Sequence, residues 1–330
     1  VSHSSLSRRG LLTSLTAGGG LAAAGSAGAQ TQTPVQQHGW LQVKGNRIVG
    51  EHGRPVVLRG MSLFWSQWQG KYYNADAVRW LKDDWKANVV RAAIGVDSGG
   101  YIAHPAAEMA KAEAVIQAAI DLGIYVIVDW HAHEVRTEAA QGFFGKLAAK
   151  YGGYPNVIWE TYNEPLPKHG WAKVLKPYHE AVIPQIRRHS PKGLIVAGTR
   201  SWSQDVEEAA ADPLADPNTA YTLHFYAGTH RQPLRDKALK ALSKGAALFV
   251  TEWGTSEANG NDKLDDVETR IWWDFMEKHQ ISYANWSVAD KNETSAALRP
   301  GAPARGGWTE AQISPSGRLV RDWLRRMNRV

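Results

Sequence analysis

Short runs rich in β-branched and aromatic residues return eight times along this 330-residue chain: 56–63, 88–95, 124–131, 157–164, 194–199, 220–226, 247–254 and 282–288. Each has the composition of a pleated strand. Segments with helical spacing separate them, for example 74–86, 106–122, 171–189 and 262–279, with a last helix at about 316–329. Pro177 and Pro184 are expected to break or kink the third of these, and 203–212 reads as a short, weaker helix. Strands that alternate with helices pair in parallel through right-handed crossovers. Eight such units over this length predict an α/β fold, a (β/α)8 TIM barrel. A doubly wound open sheet is the competing topology. It calls for a glycine-rich phosphate turn after an early strand, and the sequence holds neither G-x-G-x-x-G nor a P-loop pattern. Ahead of the barrel, "WLQVKGNRIVGEHGRPVVL" (40–58) holds two short alternating runs with Gly/Asn turns and predicts a small N-terminal β-hairpin.

In a parallel barrel the C-terminal strand ends open onto one face, and that face carries the chemistry. Polar residues gather at these ends in this sequence: Arg91 on the second strand, His131 on the third, Asn163 and Glu164 on the fourth, His224 and Tyr226 on the sixth, Glu252 on the seventh, with Trp286 on the eighth. The fourth and seventh strands lie across the mouth from each other, so Glu164 and Glu252 can face one another over a cleft. Two opposed carboxylates are what glycoside hydrolysis uses: one protonates the leaving oxygen, the other attacks or activates water. For either glutamate alone, a structural salt bridge explains the residue as well.

The blocks "VDWHAH", "VIWETYNEP", "YTLHFYAGTH" and "LFVTEWGTS" together resemble the bacterial cellulases of glycoside hydrolase family 5, subfamily 2, across nearly all of 40–327. The resemblance implies a retaining mechanism with Glu164 as acid/base and Glu252 as nucleophile. It places His131 in the same site and makes Trp286 a sugar-stacking platform. Trp68 and Trp202 match further subsite aromatics, and Lys291 and Glu293 match residues that bind sugar hydroxyls on the glycone side. Phe64 and Gly95 depart from relatives that carry His and Tyr there, and "MSLFWSQWQG" is similar to another branch of the subfamily. Arg91 is expected to keep Glu252 ionised through opposite charge, Asn163 to bond the sugar 2-hydroxyl, Tyr226 to orient Glu252, and His224 to order Tyr226 or Glu164.

The implied activity is an endo-β-1,4-glucanase (cellulase) that binds β-1,4-glucan or cello-oligosaccharide. Mannan, mixed-linkage glucan or xyloglucan are alternative substrates, and a non-catalytic carbohydrate-binding protein is the alternative class. The 15 tryptophans agree with sugar stacking; Trp80, Trp85, Trp272 and Trp273 sit in helical segments and read as core. His131, His133 and Glu134 offer a weak zinc pattern, but no third strong ligand is evident and His133 reads as a surface loop residue. No metal or cofactor is expected. The net charge of +6 comes without a basic run interleaved with aromatics, so a nucleic-acid partner is not expected. A monomer is expected. Ser7-Arg8-Arg9-Gly10-Leu11-Leu12 resembles a twin-arginine export motif, and Ala27-Gly28-Ala29 fits a signal-peptidase site; a plain Ala/Gly tail is the alternative. Residues 1–29 are thus read as a signal peptide, 30–39 as a disordered lead-in and 40–330 as the catalytic barrel, in a protein exported to the periplasm or medium and free of the membrane.

Overall fold

The computed structural model describes residues 32–329. The signal-peptide reading of 1–29 lies outside the described residues. The lead-in is corrected in part: Pro34–His38 form a short helix, α1. Its start is a capping box, in which Thr33 Oγ1 accepts from the Gln36 amide while Gln36 Oε1 accepts from the Thr33 amide.

The predicted hairpin is present as β1 (Gln42–Lys44) and β2 (Arg47–Val49), paired antiparallel. The predicted barrel follows as eight strands: β3 (Arg59–Leu63), β4 (Val89–Gly95), β5 (Tyr125–His131), β6 (Val157–Glu160), β7 (Ile195–Ala197), β8 (Thr219–Tyr226), β9 (Leu248–Gly254) and β10 (Ser282–Val288). All pair in parallel, and β10 closes onto β3. The helices after α1 are α2 (Ser66–Gln69), α3 (Ala75–Asp83), α4 (Pro105–Leu122), α5 (Thr137–Tyr151), α6 (Lys176–Arg187), α7 (Arg200–Ser203), α8 (Val206–Ala211), α9 (Gln232–Ser243), α10 (Asp266–His279) and α11 (Pro315–Met327). The 171–189 segment divides as a wide π-type turn, Trp171–Leu175, running into α6, where Pro177 takes the first turn and Pro184 lies inside the helix. The weaker 203–212 segment forms α8, while α7 lies ahead of it as a single turn with left-handed residues inside. Two helices, α5 and α9, complete units that the reading of spacing leaves unassigned.

Strand alternation sorts side chains into two cores. Outward residues such as Val90, Val128, Trp159, Leu223 and Val250 pack against the helices. Inward residues Val89, Tyr125, Ile127, Ile158, Val196, Ala220 and Phe249 fill the lower barrel. Each fully buried large apolar side chain contributes about 1.5–3 kcal/mol. Leu41 and Ile48 of the hairpin region join this inner cluster, and Val35 of α1 packs on it. The N-terminal end of the barrel is therefore stoppered with apolar side chains, and chemistry is left to the opposite end. Among the described residues no helix is long and apolar enough to cross a membrane.

Candidate active site

Above the apolar floor the inward positions turn polar. Arg91 on β4, Asp129 on β5 and Glu160 on β6 point inward, all fully buried. The Arg91 guanidinium serves them all: Nε is 2.7 Å from Glu160 Oε2 and Nη2 is 2.9 Å from Asp129 Oδ2. It also reaches farther, with Nη1 2.9 Å from Glu252 Oε2 and Nη2 donating to Asn163 Oδ1 at 2.6 Å. Burial works against the cation, but Asp129, Glu160 and Glu252 hold it well above the ordinary arginine value.

Glu252 reaches the barrel interior because β9 carries an extra residue. Between Thr222 and His224, β8 advances two positions while β9 goes from Phe249 to Glu252; between Tyr283 and Asn285, β10 advances two while β9 goes from Val250 to Trp253. Such a bulge re-aims side chains. Thr251 and Glu252, adjacent in sequence, both point inward: Thr251 Oγ1 donates to Glu160 Oε1 at 2.6 Å, and Tyr226 Oη donates to Glu252 Oε1 at 2.8 Å.

Glu164 lies four residues past the end of β6, where its amide bonds the Ala132 carbonyl at 3.2 Å. Each of its oxygens meets a histidine: Oε1 is 3.0 Å from His224 Nδ1 and Oε2 is 3.1 Å from His133 Nε2. The reading of His133 as a plain surface residue is thereby corrected. One carboxylate oxygen each of Glu164 and Glu252 and one ring nitrogen of His224 lie within 4.8 Å of one another.

The electrostatics separate the two glutamates. Burial and the charge of Glu164 push Glu252 above the usual carboxylate range, against the pull of His224, Arg91 and Tyr226. Burial would also raise Glu164, but hydrogen bonds from His133 and His224 outweigh it and hold the group at about 2. Burial would lower His224; its contacts with Glu160 and Glu164 and the charge of Glu252 raise it to about 9. The surroundings thus hold Glu164 below, and Glu252 above, the usual carboxylate range.

The other expected residues fall into two groups. His131 donates or accepts through Nδ1 at 2.6 Å from Asp129 Oδ2, and Trp286 stacks parallel to its ring at 5.2 Å. Trp286 is 4% exposed and also meets Phe64, so little of its indole faces solvent. Lys291 pairs with Glu293, and its Nζ sits 4.4 Å over the Phe64 ring. Trp68, 56% exposed, lies 5.1 Å from Trp65 and 6.4 Å from Phe64. Phe64 thus joins Trp68, Trp286 and Lys291 into one wall. A Cβ on Gly95 would stand 1.7 Å from Gln67 Oε1, so Gln67 fills the space that a larger residue 95 would claim.

Trp202 belongs to the other side. It lines a cavity of about 530 Å³ with His133, Glu164, His224, Tyr226, Gln204, His230 and Asn259. Ser201, Trp202 and Ser203 have φ of 58°, 55° and 57°, a left-handed run that costs non-glycine residues free energy. Hydrogen bonds hold it: the Trp202 amide donates to the Pro165 carbonyl at 2.9 Å and Ser203 Oγ to the Asn163 carbonyl at 2.6 Å. Gln204, His230 and Asn259 carry no strand-end signal: each lies in a turn or loop, Gln204 within the segment that reads as a short helix. Asp129, Glu160 and Thr251 were visible only as polar residues at inward positions of apolar strands.

His131, His133 and Glu134 do not converge: Glu134 turns to Lys168 at 2.6 Å. Glu164 and Glu252 are ringed by Arg91, Tyr226, His133 and His224.

The family profile described as "Cellulase (glycosyl hydrolase family 5)" matches residues 49–292. The chain belongs to glycosyl hydrolase family 5. Within that family it is 50% identical to Endoglucanase A of Evansella cellulosilytica over 83% of this chain and 57% of the relative, and 46% identical to Endoglucanase N of Pectobacterium atrosepticum over 90% and 68%. It therefore spans little more than half the length of the first of these relatives. Among solved structures, a Cytophaga hutchinsonii protein superimposes with a TM-score of 0.89 at 55% identity, covering 90% of this chain and 98% of that one. The catalytic domain of Thermobifida fusca endoglucanase Cel5A, in complex with cellotetraose, matches with a TM-score of 0.84 at 33% identity, covering 89% and 100%.

Proposed function

We propose that this family 5 protein is a retaining endo-β-1,4-glucanase, with Glu252 as nucleophile and Glu164 as acid/base. The approach of their oxygens to within 4.8 Å carries the reading. Retaining enzymes hold the two carboxyl groups about 5–5.5 Å apart, whereas inverting ones leave about 6.5–9.5 Å for a water. Endoglucanase relatives at 46–50% identity support the substrate class.

Arg91 and Tyr226 favour the ionised nucleophile and fix its orientation. Glu252 attacks the anomeric carbon while Glu164, in its protonated form, gives its proton to the departing oxygen, which leaves a glycosyl ester on Glu252 and a carboxylate at Glu164. Glu164 then accepts a proton from water, whose oxygen displaces Glu252. Asn163, its amide oriented by Arg91, keeps Nδ2 buried and without a partner among the described residues, a donor suited to the sugar 2-hydroxyl. The wall of Phe64, Trp68, Trp286 and Lys291, with Glu293, would take the glycone side. Trp202 and its cavity would take the aglycone side. The sequence pattern over Ser7–Leu12 supports export before action on an extracellular polymer.

The test is reducing-sugar release on carboxymethylcellulose, lichenan, xyloglucan and mannan, with the first product's anomer followed by NMR. Retained β-product from cellulosic substrate is expected, and Glu252→Gln should abolish it. Release from mannan alone would reassign the substrate, and an inverted first product would remove the nucleophile assignment.

A further inference from the structure

Of the three histidines nearest the glutamate pair, two are sealed in the barrel: His131 and His224 have side chains 1% and 2% exposed. The third, His133, is 40% exposed and lines the Trp202 cavity, yet its Nε2 is committed to Glu164 Oε2. Its placement is built. Tyr162 Oη donates to the His133 carbonyl at 3.0 Å, and the Trp65 ring packs edge-on at 5.5 Å. A solvated surface histidine needs neither contact.

We propose that His133 is a positioning residue that stores the proton Glu164 delivers to the leaving glycosidic oxygen. The inference rests on the acid/base reading of Glu164. In the resting site His133 is imidazolium and Glu164 carboxylate. As the substrate oxygen arrives, the Nε2 proton passes to the Glu164 carboxyl and neutral imidazole remains. That proton then moves to the glycosidic oxygen, which keeps the electron pair of the breaking C–O bond. In the second half-reaction the attacking water gives its proton to Glu164, and His133 recovers it. No proton is gained or lost over the cycle.

The charged surroundings agree. Burial and the His224 cation oppose charge on His133, while Glu164 and, farther off, Glu252 favour it and win, so His133 is raised above 6.5. His131, pushed well below its ordinary value by burial and by Arg91, stays neutral. Tyr162 is raised by burial and stays a phenol, and Glu134 is occupied by Lys168. As pH rises, the exchangeable proton of the site is therefore lost from His133 rather than from Glu164, and the basic limb of kcat/KM tracks the imidazole.

His133→Gln keeps a hydrogen-bond donor and removes the titrating proton. It should move the basic limb on cellotetraose to lower pH by about one unit or more. At neutral pH it should lower kcat/KM on cellotetraose at least about tenfold further than on 2,4-dinitrophenyl β-cellobioside, whose leaving group needs no acid. NMR titration of the His133 ring in the unsubstituted protein should give a value above 6.5 that falls in Glu164→Gln. An unmoved basic limb, equal losses on both substrates, or a ring titration indifferent to Glu164→Gln would overturn the proposal. The titration decides it even if His133→Gln misfolds. If Glu164→Gln itself loses both substrates equally, the acid/base reading fails; if it shows the split and His133→Gln does not, only the role of His133 fails.

Discussion

Replacing Tyr226 with Phe removes a single hydroxyl from the Glu252 carboxylate and leaves the buried ring in place. That hydroxyl donates to Oε1 at 2.8 Å, while Arg91 occupies Oε2 at 2.9 Å. A hydrogen bond to an ionised acceptor contributes about 1.5–3 kcal/mol, and 1.36 kcal/mol corresponds to about one pKa unit. Loss of the donor disfavours the carboxylate, so Glu252, already raised by burial and by Glu164, should rise by about one to two units more. The nucleophile must be ionised, so the acid limb of kcat/KM should move upward by the same amount. Following initial rates on dinitrophenyl cellobioside across the acid range isolates this limb, because that leaving group makes no demand on Glu164. A limb that stays in place, or moves to lower pH, would refute the view that Tyr226 stabilises an ionised nucleophile. A thermal melt close to that of the unsubstituted protein should accompany the shift.

Arg91→Met should cost about 3–5 kcal/mol in chemical denaturation, because Asp129, Glu160 and Glu252 lose a shared counter-charge in the buried barrel interior. Asp216 accepts from Arg187 Nε at 2.6 Å and Nη2 at 2.7 Å, and these bonds hold its pKa below 3.8 in the fold against the effect of burial. Its contribution is therefore present above 3.8 and fades as pH falls through the lowered value. Asp216→Asn should cost about 1–3 kcal/mol at neutral pH, with the two stability curves converging in acid. Gly95→Ala should lower Tm, since its Cβ would overlap Gln67, and adding Gln67→Ala should recover part of the loss; strictly additive effects would mean that the two side chains do not compete.

The barrel was legible because its strands are short, apolar and regularly spaced, and their ends displayed Glu164, Glu252, Arg91, His224 and Tyr226 in readable order. What escaped has identifiable causes. The bulge in β9 places Thr251 and Glu252 on one side, which a period of two cannot express. His133 follows the end of β5, where the Ala132 amide folds back onto the Trp130 carbonyl at 2.9 Å, so strand parity no longer says where its ring points. Asp129 and Glu160 read as interruptions in apolar runs until register sets them side by side, one inward step beyond the Ile127 that pairs with Arg91, where the long Arg91 side chain reaches both. Helix α1 was missed because its five residues bury no side chain fully and show no amphipathic pattern, although Thr33 and Gln36 carry the capping signal.

The guanidinium of Arg91 has a structural corollary for the barrel's assembly. A slip of β4 by one residue would turn its side chains inside out, carrying the positive charge into the apolar helix layer and stranding three acids in the interior. A misaligned barrel is thus penalised by the same ions that equip the finished one, and the demand for reactivity doubles as a proofreader of strand alignment.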